Sequence, residues 1–177
     1  MIDIKDKKNC CGCWACANAC PKKCISMKED EEGFRYPHID KVSCIDCGVC
    51  DRVCPIQKTI QDDEIPHSYI VQNKDDDIRR HSTSGGFFSA IADYMLHNNG
   101  VVFGAAFDKD HVVRHSYAET KEECIKFQVS KYVQSLIMHT YREAKEFLDA
   151  GRMVVFSGTP CQIAGLYGYL RGKVHGY

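Results

Sequence analysis

Ten of the chain's twelve cysteines lie within its first 54 residues, and eight of these form a repeat. Cys10, Cys13, Cys16 and Cys20, the last followed by Pro21, are echoed by Cys44, Cys47, Cys50 and Cys54, the last followed by Pro55. Both runs read C-x2-C-x2-C-x3-C-P. A thiolate is a soft, charged, electron-donating ligand, and four that converge from different directions suit a 4Fe–4S cubane. The two-residue gaps let three sulfurs wrap one cluster in a tight loop that also turns backbone N–H groups toward them.

Where two such runs occur together, the cysteine before proline ligates the other run's cluster. On that rule Cys10, Cys13, Cys16 and Cys54 hold one cluster, and Cys44, Cys47, Cys50 and Cys20 hold the second. The exchange obliges both loops to fold together, so iron contributes to the stability of the head. Zinc is the competing ion, since it also takes C-x2-C pairs. Its four ligands per site give no reason for a third cysteine at x2 and a fourth at x3 before proline, twice over. Cys11 and Cys24 are left spare. They read as small buried thiols near the clusters, with a ligand role as the alternative.

These runs must be positioned by short elements. Segments 24–28 and 34–37 flank the acidic turn 29–33 and predict a β-hairpin. The stretch 57–66 reads as a linker. Beyond it, segment 68–72 reads as a short strand, and Asp75-Asp76-Asp77 as a solvated helix start. Phe87, Phe88, Ile91, Ala92, Met95 and Leu96 recur at helical spacing until Asn98-Asn99-Gly100. Strands are expected at 101–107 and 153–156, a capping box at Thr120–Glu123, and helices over 137–149 and from Pro160 to Leu170. Alternating strands and helices favour an α/β body.

Apolar residues make up 44% of the chain and charged residues 27%, with a formal net charge of −1. That balance excludes a disordered tail or a fibre, and it offers no basic field for nucleic acid. The expectation is a cytoplasmic chain without a membrane span: no apolar run approaches the required length, and the first residues are polar.

Two loops in the body carry weaker signals. His81-Ser82-Thr83-Ser84-Gly85-Gly86 leads into a helix, where exposed N–H groups suit a phosphate; plain N-capping is the competing reading. Pro160 puts Cys161 in the first turn of the last helix. There it reads either as a redox or ligand-contacting thiol or as a small residue beneath a tight turn.

Taken together, the two cysteine runs, Ser82–Gly86, Ser130-Lys131-Tyr132-Val133-Gln134-Ser135 and the segment from Ser157 to Leu166 resemble the N-terminal part of the coenzyme F-420 hydrogenase/dehydrogenase beta-subunit family. The resemblance includes a dicluster ferredoxin-type head. It implies an α+β chain: a two-cluster bacterial-ferredoxin-like head over 1–58, followed by a small α/β domain over 66–177. Family members usually continue well beyond the Gly-Thr-Pro-Cys-Gln segment, so the expectation is a member lacking its C-terminal part. The resemblance further implies an iron–sulfur electron-transfer oxidoreductase component, a flavoprotein that passes electrons between two 4Fe–4S clusters and a flavin or deazaflavin-linked partner. FAD is the implied flavin, with a deazaflavin coenzyme as a further candidate and a redox partner protein or flavin-containing subunit as partner. Ser84, Gly85 and Gly86 would help hold the flavin, with Thr159 and Cys161 lining a functional loop. No catalytic residue is assigned. The alternative is a non-catalytic electron-delivery module that docks onto a separate enzyme, and a third reading has the clusters as structural staples.

Overall fold

The computed structural model describes residues 1–57 and 67–171, and the linker expected at 57–66 lies outside them apart from Gln57. The chain forms two compact units. One comprises Met1–Gln61 with Gly158–Tyr177, and the other is Asp62–Ser157. The last helix, expected within the 66–177 domain, is therefore grouped with the cysteine-rich unit.

In the first unit each cysteine run makes a loop and then a short helix: α1 (Ala15–Ala19) after Cys13 and α2 (Val49–Arg52) after Cys47. Between them, β1 (Ile25–Glu29) and β2 (Arg35–Ile39) form the expected antiparallel hairpin, with Ile25 opposite Ile39. Its turn is tied by Asp30, whose carboxylate accepts from the N–H groups of Glu32 and Phe34 at 3.1 and 3.0 Å. The last helix of this unit, α7, spans Pro160–Leu170.

One core cluster of this unit is unusual in composition. Among the described residues its buried members are Ile2, Cys16, Ala17, Cys24, Ile25, Met27, Cys50 and Cys54, so half of that cluster is cysteine. A small unit has little apolar area to bury, and here sulfur fills the place of aliphatic carbon.

In the second unit, α3 (Asp76–Arg80) starts where the aspartates indicated: Asp75 caps it, accepting from Asp77 and Ile78 N–H at 2.9 and 3.1 Å. Helix α4 (Phe87–His97) stops at the Asn-Asn-Gly signal. Strands β3 (Val101–Phe107), β4 (Val113–Ala118) and β5 (Val154–Phe156) form one sheet in the order β4-β3-β5, with β4 antiparallel and β5 parallel to β3. Alternation along β3 sends Val102 and Ala106 into a core with Ala92 and Met95 of α4, completed by Cys124 and Phe127. On that face Gly104 is obligatory: a Cβ there would stand 2.7 Å from Phe127 Cγ. The opposite side chains serve α6 (Thr140–Asp149), where Phe103 meets Phe147 edge-on at 6.2 Å and stacks on Phe156 at 5.3 Å.

Three expectations need correction. Segment 68–72 forms no strand, and Tyr69 and Ile70 are fully or largely exposed, so its alternation buries nothing. Helix α6 starts at Thr140 rather than at 137, because Leu136 is held in a β-bridge with Arg114, Ile137 is buried beside it, and Ile137 C=O accepts from Thr140 Oγ1. The capping box of α5 (Lys121–Cys124) is half formed: Thr120 accepts from Glu123 N–H, but the Glu123 carboxylate takes the N–H of Glu119 instead.

Candidate metal centres

The two cysteine loops share a backbone. The residues flanking the middle cysteine are left-handed in both: Gly12 (φ 61°) and Trp14 (φ 66°) around Cys13, Asp46 (φ 48°) and Gly48 (φ 67°) around Cys47. Left-handed residues interspersed in a loop turn successive N–H groups inward, which suits an anionic sulfur cage. The N–H groups of Gly12, Ala15 and Ala17 point at the sulfurs of Cys10, Cys13 and Cys16 respectively. The backbone N–H of Ile2 adds a bond to Cys50 Sγ at 3.2 Å, a contribution from outside the motif that its spacing does not announce.

Two cavities lie among these loops. One, of about 320 Å³, is lined by Cys10, Cys13, Cys16 and Cys54, with Cys11 beside them and Ile4, Trp14 and Met27 among its apolar walls. The other, of about 350 Å³, is lined by Cys20, Cys44, Cys47 and Cys50, with Cys24 beside them. Each cavity thus collects three cysteines of one run and the cysteine before proline of the other. Among the described residues, no three metal-ligating side chains close on a single-ion site. A cubane takes one thiolate per iron, so its ligands stand around a core. The donor set, the inward N–H groups and the apolar walls fit a 4Fe–4S group in each cavity.

Burial pushes the Cys16 thiol up to about 12 and also raises Cys10. A bound cation would favour the thiolate at either position. Cys20 and Cys24 sit with their sulfurs 3.3 Å apart. Burial opposes ionisation of Cys20, but N–H and S–H donors from Cys24 and its neighbours bring it below its ordinary value, while the same contact lifts Cys24 to about 12. Cys11 is pulled down to about 6, first by hydrogen bonding with the Cys13 thiol, and Cys13 is raised by that bond and by burial.

The residues expected to serve a flavin fall in different units. Ser84 (φ 55°), Gly85 (φ 70°) and Gly86 (φ 73°) are three successive left-handed residues entering α4 in the second unit. Gly86 is the N-cap of α4, with no side-chain cap bond, and its own N–H donates to the Thr83 carbonyl at 3.4 Å. Thr83 Oγ1 instead meets Ser130 Oγ at 3.1 Å, which joins the Ser82–Gly86 loop to the Ser130–Ser135 segment. Gly85 has no room for a side chain, because its Cβ would stand 2.8 Å from the Val71 carbonyl oxygen. Thr159 and Cys161 belong to the cysteine-rich unit. Thr159 forms a capping box with Gln162, and its hydroxyl lies 3.2 Å from Cys161 Sγ.

Residues 9–58 match the family described as the 4Fe-4S dicluster domain, and residues 68–141 match the N-terminal region of the coenzyme F420 hydrogenase/dehydrogenase beta subunit. A ferredoxin of Mycolicibacterium smegmatis is 36% identical over 77 residues, covering 42% of this chain and 61% of that protein. A 7Fe ferredoxin of Hydrogenibacillus schlegelii is 39% identical over 64 residues, covering 34% of this chain and 76% of that protein. The NADH-quinone oxidoreductase subunit I 2 of Geobacter metallireducens is 40% identical over 55 residues, covering 28% of this chain and 42% of that protein. The chain thus spans less than two thirds of the first and last of these. Among the described residues, no helix is long and apolar enough to cross a membrane.

Proposed function

We propose, for a chain that belongs to the coenzyme F420 hydrogenase/dehydrogenase beta-subunit family and carries a 4Fe–4S dicluster ferredoxin head, that it is the iron–sulfur component of an oxidoreductase, passing electrons between two 4Fe–4S clusters and a flavin or deazaflavin-linked partner. Electron transfer through a ferredoxin-like 4Fe–4S head is the part that the relatives support directly. The observation that carries the finer reading is the exchange of Cys20 and Cys54 between two sulfur-lined cavities. In it, Cys10, Cys13, Cys16 and Cys54 hold one cluster, and Cys44, Cys47, Cys50 and Cys20 the other. Bound there, the clusters supply one-electron transfer. The protein orients the sulfurs through the paired left-handed turns, donates N–H groups to them, and excludes water with Ile2, Ile4, Trp14 and Met27. Two clusters on exchanged ligands exceed what a structural staple requires.

The flavin reading rests on the uncapped start of α4. Ser84 and Gly85 would offer N–H groups to the phosphates of FAD, with Gly86, whose N–H donates to the Thr83 carbonyl, shaping the turn, and the Thr83–Ser130 contact holds the neighbouring hydroxyls in place. A cysteine set that holds iron suits a reducing compartment such as the cytoplasm. Anaerobically purified chain is expected to show reducible cluster signals by electron paramagnetic resonance and to bind FAD in a fluorescence titration. Cluster signals with no FAD binding would favour the electron-delivery module, which the ferredoxin relatives alone would equally suit.

A further inference from the structure

Ile2 lies outside both cysteine runs, yet it reaches both sulfur-lined cavities. It lines the cavity of Cys10, Cys13, Cys16 and Cys54. Its backbone N–H donates to Cys50 Sγ at 3.2 Å, and Cys50 lines the other cavity. Ile2 is 5% exposed, and its aliphatic side chain packs in the cluster that includes Cys16, Cys50 and Cys54. The segment is also anchored on either side of Cys47 and Cys50. The Met1 amine stands 3.1 Å from Asp46 Oδ1 and 2.8 Å from Asp51 Oδ2, which holds the Ile2 peptide against the second cysteine loop. At the first cavity the wall includes Pro37, which has no N–H to donate.

We propose that Ile2 makes the two iron–sulfur sites unequal: its peptide N–H raises the reduction potential of the site on Cys44, Cys47, Cys50 and Cys20, while its side chain keeps water from the site on Cys10, Cys13, Cys16 and Cys54. The inference rests on the reading that each cavity holds a 4Fe–4S cluster. An N–H donor stabilises the negative charge that reduction adds at a cysteine sulfur, so its site takes an electron more readily. An aliphatic wall does the reverse, because it withholds the water dipoles that would otherwise stabilise that charge. Both effects favour the second site for an electron shared by the pair. Ile2 is thus a positioning residue. In reduction one electron passes from an external donor to each site; no bond forms or breaks at Ile2, and no proton moves there.

The test is a potentiometric titration of the full iron-loaded chain under anaerobic conditions, with dithionite as reductant and electron paramagnetic resonance as readout. Ile2→Pro removes the N–H. One of the two potentials is expected to fall by a roughly threefold change in the one-electron equilibrium, or about 30 mV at about 59 mV per tenfold. Ile2→Ala keeps the N–H and shortens the wall, so that potential stays in place and the other rises. Repeating Ile2→Pro in the Cys13→Ser, Cys54→Ser background, which retains the second site alone, shows which potential falls. A semisynthetic chain, ligated at Cys10 and carrying the α-hydroxy acid analogue of isoleucine at position 2, deletes the N–H but keeps the side chain. It gives the same fall even if the proline variant fails to load iron. Unchanged potentials in the ester chain, or the same shift in the proline and alanine variants, would overturn the proposal. Iron and acid-labile sulfide in the unaltered protein report on the cluster reading alone, so the two can fail independently.

Discussion

Trp14 and Gly48 occupy the same place in the two cysteine runs and share one backbone conformation, with φ of 66° and 67°. Each opens the short helix that carries the third cysteine of its run. A tryptophan in the left-handed region is strained by about 1–2 kcal/mol, so the surroundings must hold it there. Trp14 packs against the sulfur-rich core, which supplies that hold. Gly48 meets only the tip of Arg52, 3.3 Å from where a Cβ would stand. Gly48→Ala should therefore cost about 1–2 kcal/mol through backbone strain rather than clash. A lowered denaturation midpoint of the iron-loaded protein checks it; an unchanged midpoint would mean that the loop relaxes.

The exchange of ligands makes a prediction that linear order does not. Cys13 and Cys54 line one cavity, whereas Cys47 lines the other. The double variant Cys13→Ser with Cys54→Ser should keep about four iron atoms per chain, since both changes fall on one cluster. Cys47→Ser with Cys54→Ser should lose nearly all iron. Iron analysis of the two anaerobic preparations decides it, and the reverse pattern would place Cys54 with its own run.

Gly85 tests the flavin site without touching the head. An alanine there must hold φ near 70° and place its Cβ 2.8 Å from the Val71 carbonyl oxygen. Gly85→Ala should weaken FAD binding by about tenfold or more, equivalent to about 1.4 kcal/mol, with iron content unchanged. Unaltered FAD affinity would remove this loop from the site.

His115 gives the second unit a pH dependence. It is buried, stacks on Phe156 at 5.1 Å and bonds through Nε2 to the Ser157 carbonyl, while Nδ1 has no partner. Burial holds its pKa below the ordinary 6.5, and the Ser157 bond only partly offsets this. The unfolded chain therefore takes up a proton first as pH falls. The stability present above pH 6.5 is lost as pH drops from there through the lower folded value. His115→Gln should flatten that part of the profile, read as melting temperature against pH for both proteins. Parallel profiles would assign the acid loss elsewhere.

Much of this was legible from residue types. The cysteine spacing groups the same sulfurs that line each cavity, and the Asn-Asn-Gly stop, Asp75 and Pro160 mark helix ends, because caps and breakers act locally. Strand β4 was missed: its buried inward positions include His115, which spoils the apolar alternation. The opposite error at 68–72 has the same origin, since Tyr69 and Ile70 look like strand residues but find no neighbouring strand. Nor could spacing place Ile2 N–H on Cys50 Sγ, as that depends on long-range packing.

The central claim is that the head holds two 4Fe–4S clusters on exchanged cysteine sets. Iron and acid-labile sulfide measured per chain after anaerobic purification test it most directly. The account predicts about eight of each. Stoichiometric zinc with no sulfide would contradict it.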